Sequence, residues 1–368
     1  MLGKIKRNIL IIQAKRVIKM AETFRAAVLV APNSPLEIME LRFPELKDGQ
    51  VLVRNIASGI CRSQLMEAKG KRGEDKWLPH LLVHEGAGVV EKIGPQVTKV
   101  KIGEKVIVGW IVGQGFSSVA PQFIAANGTA INSGAATTFS EYSVVSENRV
   151  YVAPEGFPDE FLPLFGCALL TGGGMALNHF DENLHENLLV LGFGGVGSSA
   201  AVVLESFSNT FMVILDESEA RRNQARLMGF KNVYSLQEFE SINPIKSVDK
   251  FDLCIESAGT TGTIELGFSL LSKSGRLVFA SHPESGARIS LDPFELINGK
   301  LIFGSFGGGS KPEEDIEIIS NLLRKSRLNL EYMLGDVFAL EDVNQALGQL
   351  EMGKPGRPLI RMSRTSNE

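Results

Sequence analysis

The chain has 368 residues, of which 44% are apolar and 22% are charged, and its formal net charge is -4. This balance offers no basic footprint for nucleic acid, and no apolar run reaches the roughly 20 residues that a membrane helix needs. The three cysteines exclude a disulfide framework and indicate a reducing, cytoplasmic location.

The first 20 residues form a segment of their own, with six basic residues and no acidic one. Its interleaved apolar residues are compatible with an amphipathic helix, a membrane-surface arm or an organelle transit peptide. The sequence MAETFRAAVLVAP favours another interpretation, a start at Met20, because it leads directly into a strand. We therefore predict that residues 1–23 are a disordered extension without a catalytic role.

A series of short strands fills the chain from Phe24 to about Pro154, each bounded by Gly, Pro, Asn or Asp. Such spacing predicts a β-rich, barrel-like domain. Between Gly109 and Phe139 the composition shifts to Gly, Ser, Ala and Asn, which indicates a surface lobe. The predicted strands are RAAVLVA, LEIMEL, QVLVRNIAS, GAGVVEKIG, EKVIVG, SEYSVV and RVYVAP.

The stretch Leu188–Asp216 predicts a βαβ unit that opens with a glycine turn. In such a unit Gly192 permits the tight turn, Gly194 lets the backbone approach a pyrophosphate, and Gly197 allows close packing of helix on strand. Amide groups at the helix N-terminus then face the phosphates. The agreement of strand, turn, helix and second strand predicts a dinucleotide site.

Asp216 ends the second strand of this unit, 24 positions after Gly192. A carboxylate at this point accepts hydrogen bonds from the ribose hydroxyls of NAD and repels the extra phosphate of NADP. Glu217 and Glu219 add to the repulsion, whereas Arg221 and Arg222 oppose it. The sequence therefore predicts NAD as the cofactor.

Strands and helices alternate from about Leu169 onward, and six apolar strands among them predict a complete doubly wound sheet. Two further helices and a strand, PLIRM, follow that sheet, and we expect this tail to return to the first domain. The six strands are LLVL, FMVIL, NVYSL, FDLCIES, RLVFAS and LIFGSF.

Three motifs, GICRSQL at Gly59–Leu65, HEGAGVVEKIG at His84–Gly94 and FGCALLTGGG at Phe165–Gly174, stand in this order before the glycine turn. With that turn, they make the chain similar to the zinc-dependent alcohol dehydrogenases of the medium-chain dehydrogenase/reductase superfamily. The resemblance extends from about Phe24 to Met362.

The resemblance implies an α/β protein of two domains. A GroES-like catalytic domain, β-rich and barrel-like, is expected over residues 24–168 and 308–368. A doubly wound Rossmann domain that binds NAD is expected over residues 169–307.

The positions of Cys61, His84 and Cys167 in these motifs imply that they bind one catalytic Zn²⁺. Two thiolates and an imidazole are donors that suit zinc, and three protein ligands leave a fourth position for substrate. The ion then acts as a Lewis acid on the substrate oxygen. A second, structural zinc is not expected, because the segment from Trp110 to Tyr142 contains no cysteine.

Other matches to the motifs imply roles around this centre. Glu85 corresponds to a glutamate behind the metal, and Ser63 to a hydroxyl that hydrogen-bonds the substrate oxygen and passes its proton on. Arg62 and Arg357 correspond to arginines that contact the pyrophosphate, and Trp110 to an aromatic wall of the substrate pocket. The remaining cofactor-binding residues implied are Thr171, Gly192, Gly194, Gly195, Val196, Gly197, Asp216 and Arg221.

The chain also departs from the family pattern. Val83 replaces the usual glycine before the metal histidine, and Gln64 replaces an acidic residue after the serine. Met66 stands where some members have a histidine that ends the proton relay. His282, after the strand RLVFAS, is a candidate substitute, with a place in the pocket wall or a surface loop as the alternative.

These features predict an oxidoreductase that transfers a hydride between NAD and an alcohol/aldehyde or alcohol/ketone pair. A zinc-free quinone or enoyl reductase of the same superfamily is one alternative, and a catalytically silent NAD-binding protein is another. The resemblance implies a homodimer or homotetramer associated through the cofactor domains. The expected partner is a small-molecule alcohol or carbonyl compound, with neither nucleic acid nor membrane.

Overall fold

The computed structural model describes residues 22–207, 210–242, 250–280, 283 and 286–363. All but the last two residues of the predicted N-terminal extension lie outside these ranges, as does His282. Within them, no helix is both long enough and apolar enough to span a membrane.

Two sheets of mostly antiparallel strands form the first domain. One has the strand order β2-β1-β4-β8-β7, and the other has the order β10-β6-β5-β3-β18-β17, with β9 also paired to β3. The bounds are β1 Thr23–Leu29, β2 Glu37–Arg42, β3 Gln50–Gly59, β4 His80–Leu81, β5 Glu85–Ile93, β6 Lys105–Gly109, β7 Gln122–Ile124, β8 Ala130–Asn132, β9 Tyr142–Ser146, β10 Val150–Val152, β17 Leu334–Phe338 and β18 Arg357–Arg361. One helix, α1, follows β3 at Arg62–Ala68.

The lobe after β6 contains a short hairpin of β7 and β8. Strand β8 pairs with β4 at His80 and Asn132, so the lobe extends the first sheet. Phe123 and Ile131 of this hairpin are fully buried in the same core as Phe24. Apolar packing and strand pairing therefore hold the lobe in place.

The second domain is a parallel sheet with the order β13-β12-β11-β14-β15-β16, the doubly wound arrangement that the sequence predicts. All six predicted strands are present, at β11 Asn187–Leu191, β12 Phe211–Leu215, β13 Val233–Tyr234, β14 Phe251–Glu256, β15 Leu271–Phe279 and β16 Leu301–Gly304. Helices connect them, at α2 Ala168–His179, α3 Gly195–Leu204, α4 Glu219–Met228, α5 Leu236–Ile242, α6 Thr261–Ser269 and α7 Pro293–Ile297.

The end of the chain serves both domains. Helix α8 (Pro312–Lys325) buries Ile316 and Ile319 in the core that also contains Val203 of α3. Helix α9 (Val343–Glu351) leads to β18, which pairs antiparallel with β3 and brings Leu359 opposite Gly59. The tail thus returns to the first domain through its last strand, and the exact division at residue 308 stays a prediction.

Candidate active site

The pairing of β3 with β5 brings the first two predicted ligands together. Ser58 lies opposite Gly86, so Cys61, just after β3, is near His84, just before β5. Cys167 joins them from the start of α2. The Sγ atoms of both cysteines and a ring nitrogen of His84 all lie within 4.8 Å of one another, which is the separation that one metal ion requires of its ligands.

The surroundings of Cys61 favour the thiolate form of its side chain. A hydrogen bond from the Cys167 thiol, 4.0 Å away, lowers the pKa of Cys61 well below its usual value, against the opposing effect of burial. The same bond raises the pKa of Cys167. A thiolate beside a second thiol and an imidazole is a soft donor set that fits Zn²⁺.

Glu85 and Arg357 form a buried ion pair directly behind these three residues. Arg357 Nε lies 3.1 Å from Glu85 Oε1, and the two side chains are 7% and 0% exposed. Burial raises the pKa of Glu85 to about 7, while the positive charge of Arg357 opposes that rise. Gly59 leaves the space for this carboxylate, because a Cβ there would lie 1.9 Å from Glu85 Oε1.

Arg357 also lies between the three predicted zinc ligands and the glycine turn. Its Nη1 donates to the carbonyl of Ile60 at 3.0 Å, and its Nη2 would lie 2.3 Å from a Cβ on Gly195. Its guanidinium thus lies against the first residue of α3, where the sequence predicts the pyrophosphate. Arg62, the other predicted pyrophosphate ligand, is exposed at the first position of α1.

The glycine turn has the geometry expected of a dinucleotide site. Gly192 has a φ of +87°, and a Cβ on Gly197 would lie 1.9 Å from the carbonyl oxygen of Gly192. Apart from the neighbouring residues in the sequence, no atom of the described residues lies within 4 Å of the Cβ position of Gly194, so the backbone there faces open space. Thr171 is buried nearby on α2, and its hydroxyl has no hydrogen-bond partner among the described residues.

Asp216 also makes two hydrogen bonds to the backbone that its position in the sequence does not predict. One carboxylate oxygen accepts a hydrogen bond from the Phe193 amide at 2.7 Å, and the other accepts from the Ser218 amide at 2.8 Å. Arg221 Nη1 lies 3.8 Å from the first of these oxygens. Asp216 therefore fixes the glycine turn, and Arg221 reduces the charge that the carboxylate presents.

An aromatic surface lies beside the three predicted zinc ligands. The ring of Trp110 is 6.0 Å from that of His84 and makes an edge contact with Phe306 at 4.9 Å. Phe306 is 80% exposed and was not expected from the sequence. In the sequence, Phe306 lies in the segment GSFGGG, which is a turn signal after an apolar strand. This turn signal is the one sequence feature that points to the position of Phe306.

Two departures from the family pattern lie next to His84, Gln64 in space and Val83 in the sequence. Gln64 is buried, and its amide nitrogen lies 2.7 Å from His84 Nδ1. Val83 has a φ of +75°, a left-handed conformation that is strained for a β-branched residue. Ser63 Oγ donates to Cys61 Sγ at 3.4 Å, so this hydroxyl lies next to one of the three predicted ligands.

Replacing Val83 with glycine is expected to change the free energy of unfolding by no more than about 2 kcal/mol. The substitution relieves strain of about 1–3 kcal/mol but loses roughly 1.5–3 kcal/mol from burial of the side chain, which is 3% exposed. Urea denaturation measures the difference. Val53→Gly, at a fully buried position inside β3, is the control and should cost about 3–4 kcal/mol. Equal losses in both variants would contradict the strain at Val83.

Two family models match the chain in succession. The model for the alcohol dehydrogenase GroES-like domain matches residues 47–155, and the model for the zinc-binding dehydrogenase matches residues 195–324.

Curated relatives align over almost their whole length. An alcohol dehydrogenase class-3 of Cereibacter sphaeroides is 25% identical and covers 91% of this chain and 99% of its own. An S-(hydroxymethyl)glutathione dehydrogenase of Escherichia coli is 27% identical over 92% of this chain and 99% of its own.

Solved structures share the fold. The benzyl alcohol dehydrogenase of Acinetobacter calcoaceticus superposes with a TM-score of 0.82 at 24% identity, over 93% of this chain and all of the other. Taken with the two successive domain matches and the full-length relatives, the convergence of Cys61, His84 and Cys167 beside a glycine turn leads to one conclusion: the chain belongs to the zinc-dependent alcohol dehydrogenase family of the medium-chain dehydrogenase/reductase superfamily.

Proposed function

We propose that the chain is an NAD-dependent alcohol dehydrogenase with one catalytic zinc, held by Cys61, His84 and Cys167. The observation that carries the proposal is the convergence of these three donors within 4.8 Å. Arg357 connects them to the glycine turn, because it contacts both Glu85 and Gly195. A metal ligand set and a dinucleotide turn joined by one side chain suit hydride transfer between an alcohol and a nicotinamide.

Zinc, held by Cys61, His84 and Cys167, would supply Lewis acidity at the alcohol oxygen, and NAD would supply the hydride acceptor. The thiolates of Cys61 and Cys167 offset the charge of the ion, so the site does not become strongly cationic. Ser63 Oγ would accept the hydrogen bond of the substrate hydroxyl, and would take up that proton while passing its own proton on to the nicotinamide ribose. Trp110 and Phe306 hold the apolar part of the substrate and exclude water from one side of the site.

For the cofactor, we assign the ribose hydroxyls to Asp216 and the pyrophosphate to the amides of the glycine turn, with Arg357 and Arg62 as counter-charges. The open space at Gly194 supports this assignment. The hydroxyl of Thr171 has no hydrogen-bond partner in the part of the chain that the structure describes, which supports a contact with the nicotinamide end. Gly195 and Val196 complete the turn, and Arg221 modulates the charge of Asp216.

We propose no second, structural zinc. The chain has three cysteines, and the third, Cys254, is fully buried inside β14. The other group of close ligand atoms among the described residues is Glu67, Asp75 and His80. There His80 Nε2 lies 2.8 Å from Asp75 Oδ2 and makes an ion pair when the ring is protonated.

The function is tested on protein purified without added zinc. We expect elemental analysis to find about one zinc per chain, and a panel of alcohols to be oxidised with NAD at least about tenfold more efficiently than with NADP, because Asp216 repels a 2′-phosphate. Folded, NAD-binding protein without zinc and without alcohol oxidation would contradict the proposal. Metal-free reduction of a conjugated carbonyl would then favour a zinc-free reductase, and no turnover at all would favour a silent NAD-binding protein.

We also propose that the chain forms a homodimer or homotetramer through the edge of its cofactor domain. Strand β16 is an edge strand, and an exposed apolar group lies on it and on the helix before it: Phe294, Ile297, Leu301 and Phe303. An apolar edge of this kind is typical of an interface.

Replacing Ile297 with glutamate is therefore expected to shift the protein toward the 40.0 kDa monomer. Sedimentation velocity measures the change. Val119→Glu is the control, because Val119 is equally exposed, at 76% against 77% for Ile297, but lies in the lobe of the first domain. A monomeric wild type would contradict the proposed assembly.

A further inference from the structure

Both ends of the Gln64 side-chain amide make contacts next to the three predicted zinc ligands. It is 1% exposed and occupies the third position of α1. Its Oε1 accepts the backbone N–H of Cys61 at 3.1 Å, a capping bond that fixes the orientation of the amide. Its Nε2 therefore faces His84, at 2.7 Å from Nδ1 and 3.3 Å from Nε2.

Of the two nitrogens of His84, Nδ1 lies closer to the Gln64 amide, and Nε2 also contacts Cys167. Nε2 lies 3.6 Å from Cys167 Sγ, so it is the nitrogen on the side of the other two ligands. A neutral imidazole has one protonated and one unprotonated nitrogen. If Nε2 binds a metal, the proton is on Nδ1, and this N–H then requires an acceptor.

Gln64 does not supply that acceptor without a loss. As oriented, its NH₂ group can only donate, and its shorter contact is with Nδ1, so this contact stabilises the tautomer with the proton on Nε2. If the amide turns over, its oxygen reaches His84 but its NH₂ group then faces the backbone N–H of Cys61. One amide oxygen cannot replace the two oxygens of a carboxylate here, and one donor remains unsatisfied at a cost in free energy.

We infer that Gln64 is a positioning residue that lowers the zinc affinity of the site, so that the metal is exchangeable. The inference rests on the proposed zinc ligands. Gln64 stabilises the metal-free tautomer of His84, and metal binding must disrupt either that contact or the cap of α1. A glutamate at this position accepts from both N–H groups and removes the conflict.

The first test is the zinc affinity of Gln64→Glu, measured by competition with a chromogenic chelator. We expect the variant to bind zinc about tenfold more tightly than the wild type, within the range found for residues that support metal ligands. Gln50→Glu is the matched control. Gln50 is also 1% exposed and accepts a backbone N–H from a residue three positions away, Lys47, but it belongs to β3 far from the ligands along the strand.

The control should bind zinc as the wild type does. Equal affinities in wild type and Gln64→Glu would overturn the inference and leave the proposed zinc site standing. A failure of both proteins to bind zinc would overturn both.

A second measurement needs no folded variant at position 64. Nitrogen-15 NMR of the metal-free wild type reports the tautomer of each of the five histidines, and His84→Asn assigns the signal of His84. We expect the proton of His84 on Nε2 before zinc is added and on Nδ1 afterwards. A proton on Nδ1 in the metal-free protein would overturn the inference.

Discussion

Replacing Cys167 with serine is expected to remove the zinc and to lower alcohol oxidation at least about a thousandfold. A serine hydroxyl is a poor ligand for zinc compared with a thiolate. Loss of the Lewis acid removes several kcal/mol of transition-state stabilisation, and about 4 kcal/mol corresponds to a factor of a thousand. Elemental analysis and the rate of NADH formation measure the two effects on the same preparation.

The matched control is Cys254→Ala. Cys254 is fully buried in the parallel sheet, and its Sγ packs against Gly267. Its loss therefore affects packing and leaves the three ligands in place. This variant should retain zinc and turnover. Retention of zinc in Cys167→Ser, or its loss in Cys254→Ala, would exclude the proposed ligand set.

NAD affinity separates loss of the metal from loss of the fold. Cys167 lies before α2, whereas the glycine turn belongs to β11 and α3. We expect Cys167→Ser to bind NAD with an affinity close to that of the wild type. A large loss of NAD affinity would mean that the substitution had disturbed the cofactor domain.

The parts of the fold that were predicted from the sequence depend on local patterns. Each strand of the parallel sheet is a short apolar run between turn residues, and Asp216 follows Gly192 within a single βαβ unit. Strand β17, with the sequence LGDVF, was missed because glycine and aspartate interrupt its apolar pattern. The pairing of β17 with β18 compensates for its weak intrinsic preference.

The site was predictable only in part, because its contacts are long-range. Cys61 and Cys167 are 106 positions apart, and no spacing rule brings them together; the resemblance to family motifs did. The contact of Gln64 with His84 and the exposed ring of Phe306 depend on how β3, β5 and the segment after β16 meet in space. Local sequence patterns do not predict such long-range contacts.

The strain at Val83 was likewise beyond the sequence. A valine after two leucines predicts ordinary extended backbone. Val83 instead has a positive φ directly before His84 and β5, a conformation that persists only where the surrounding tertiary structure imposes it. The sequence revealed the departure from glycine, and the structure reveals its conformational consequence.

Arg357→Met is expected to lower the free energy of unfolding by about 3–5 kcal/mol, the usual cost of leaving one member of a buried ion pair without its partner. Glu85 is 0% exposed, and its oxygens have no hydrogen-bond partner among the described residues. The variant also loses the bond from Nη1 to the carbonyl of Ile60. Urea denaturation of the zinc-loaded protein measures the loss.

A second substitution shows whether this loss comes from the unpaired charge. Adding Glu85→Gln to Arg357→Met removes the charge, so the double variant should recover most of the stability, and the two effects will not add. Lys105→Met is the control, since its ion pair with Asp159 is largely exposed and should contribute less than about 1 kcal/mol. If the double variant is as unstable as Arg357→Met alone, packing rather than charge explains the role of Arg357. Because this guanidinium also lies against Gly195, the double variant should still bind NAD more weakly than the wild type, which separates its part in cofactor binding from its part in stability.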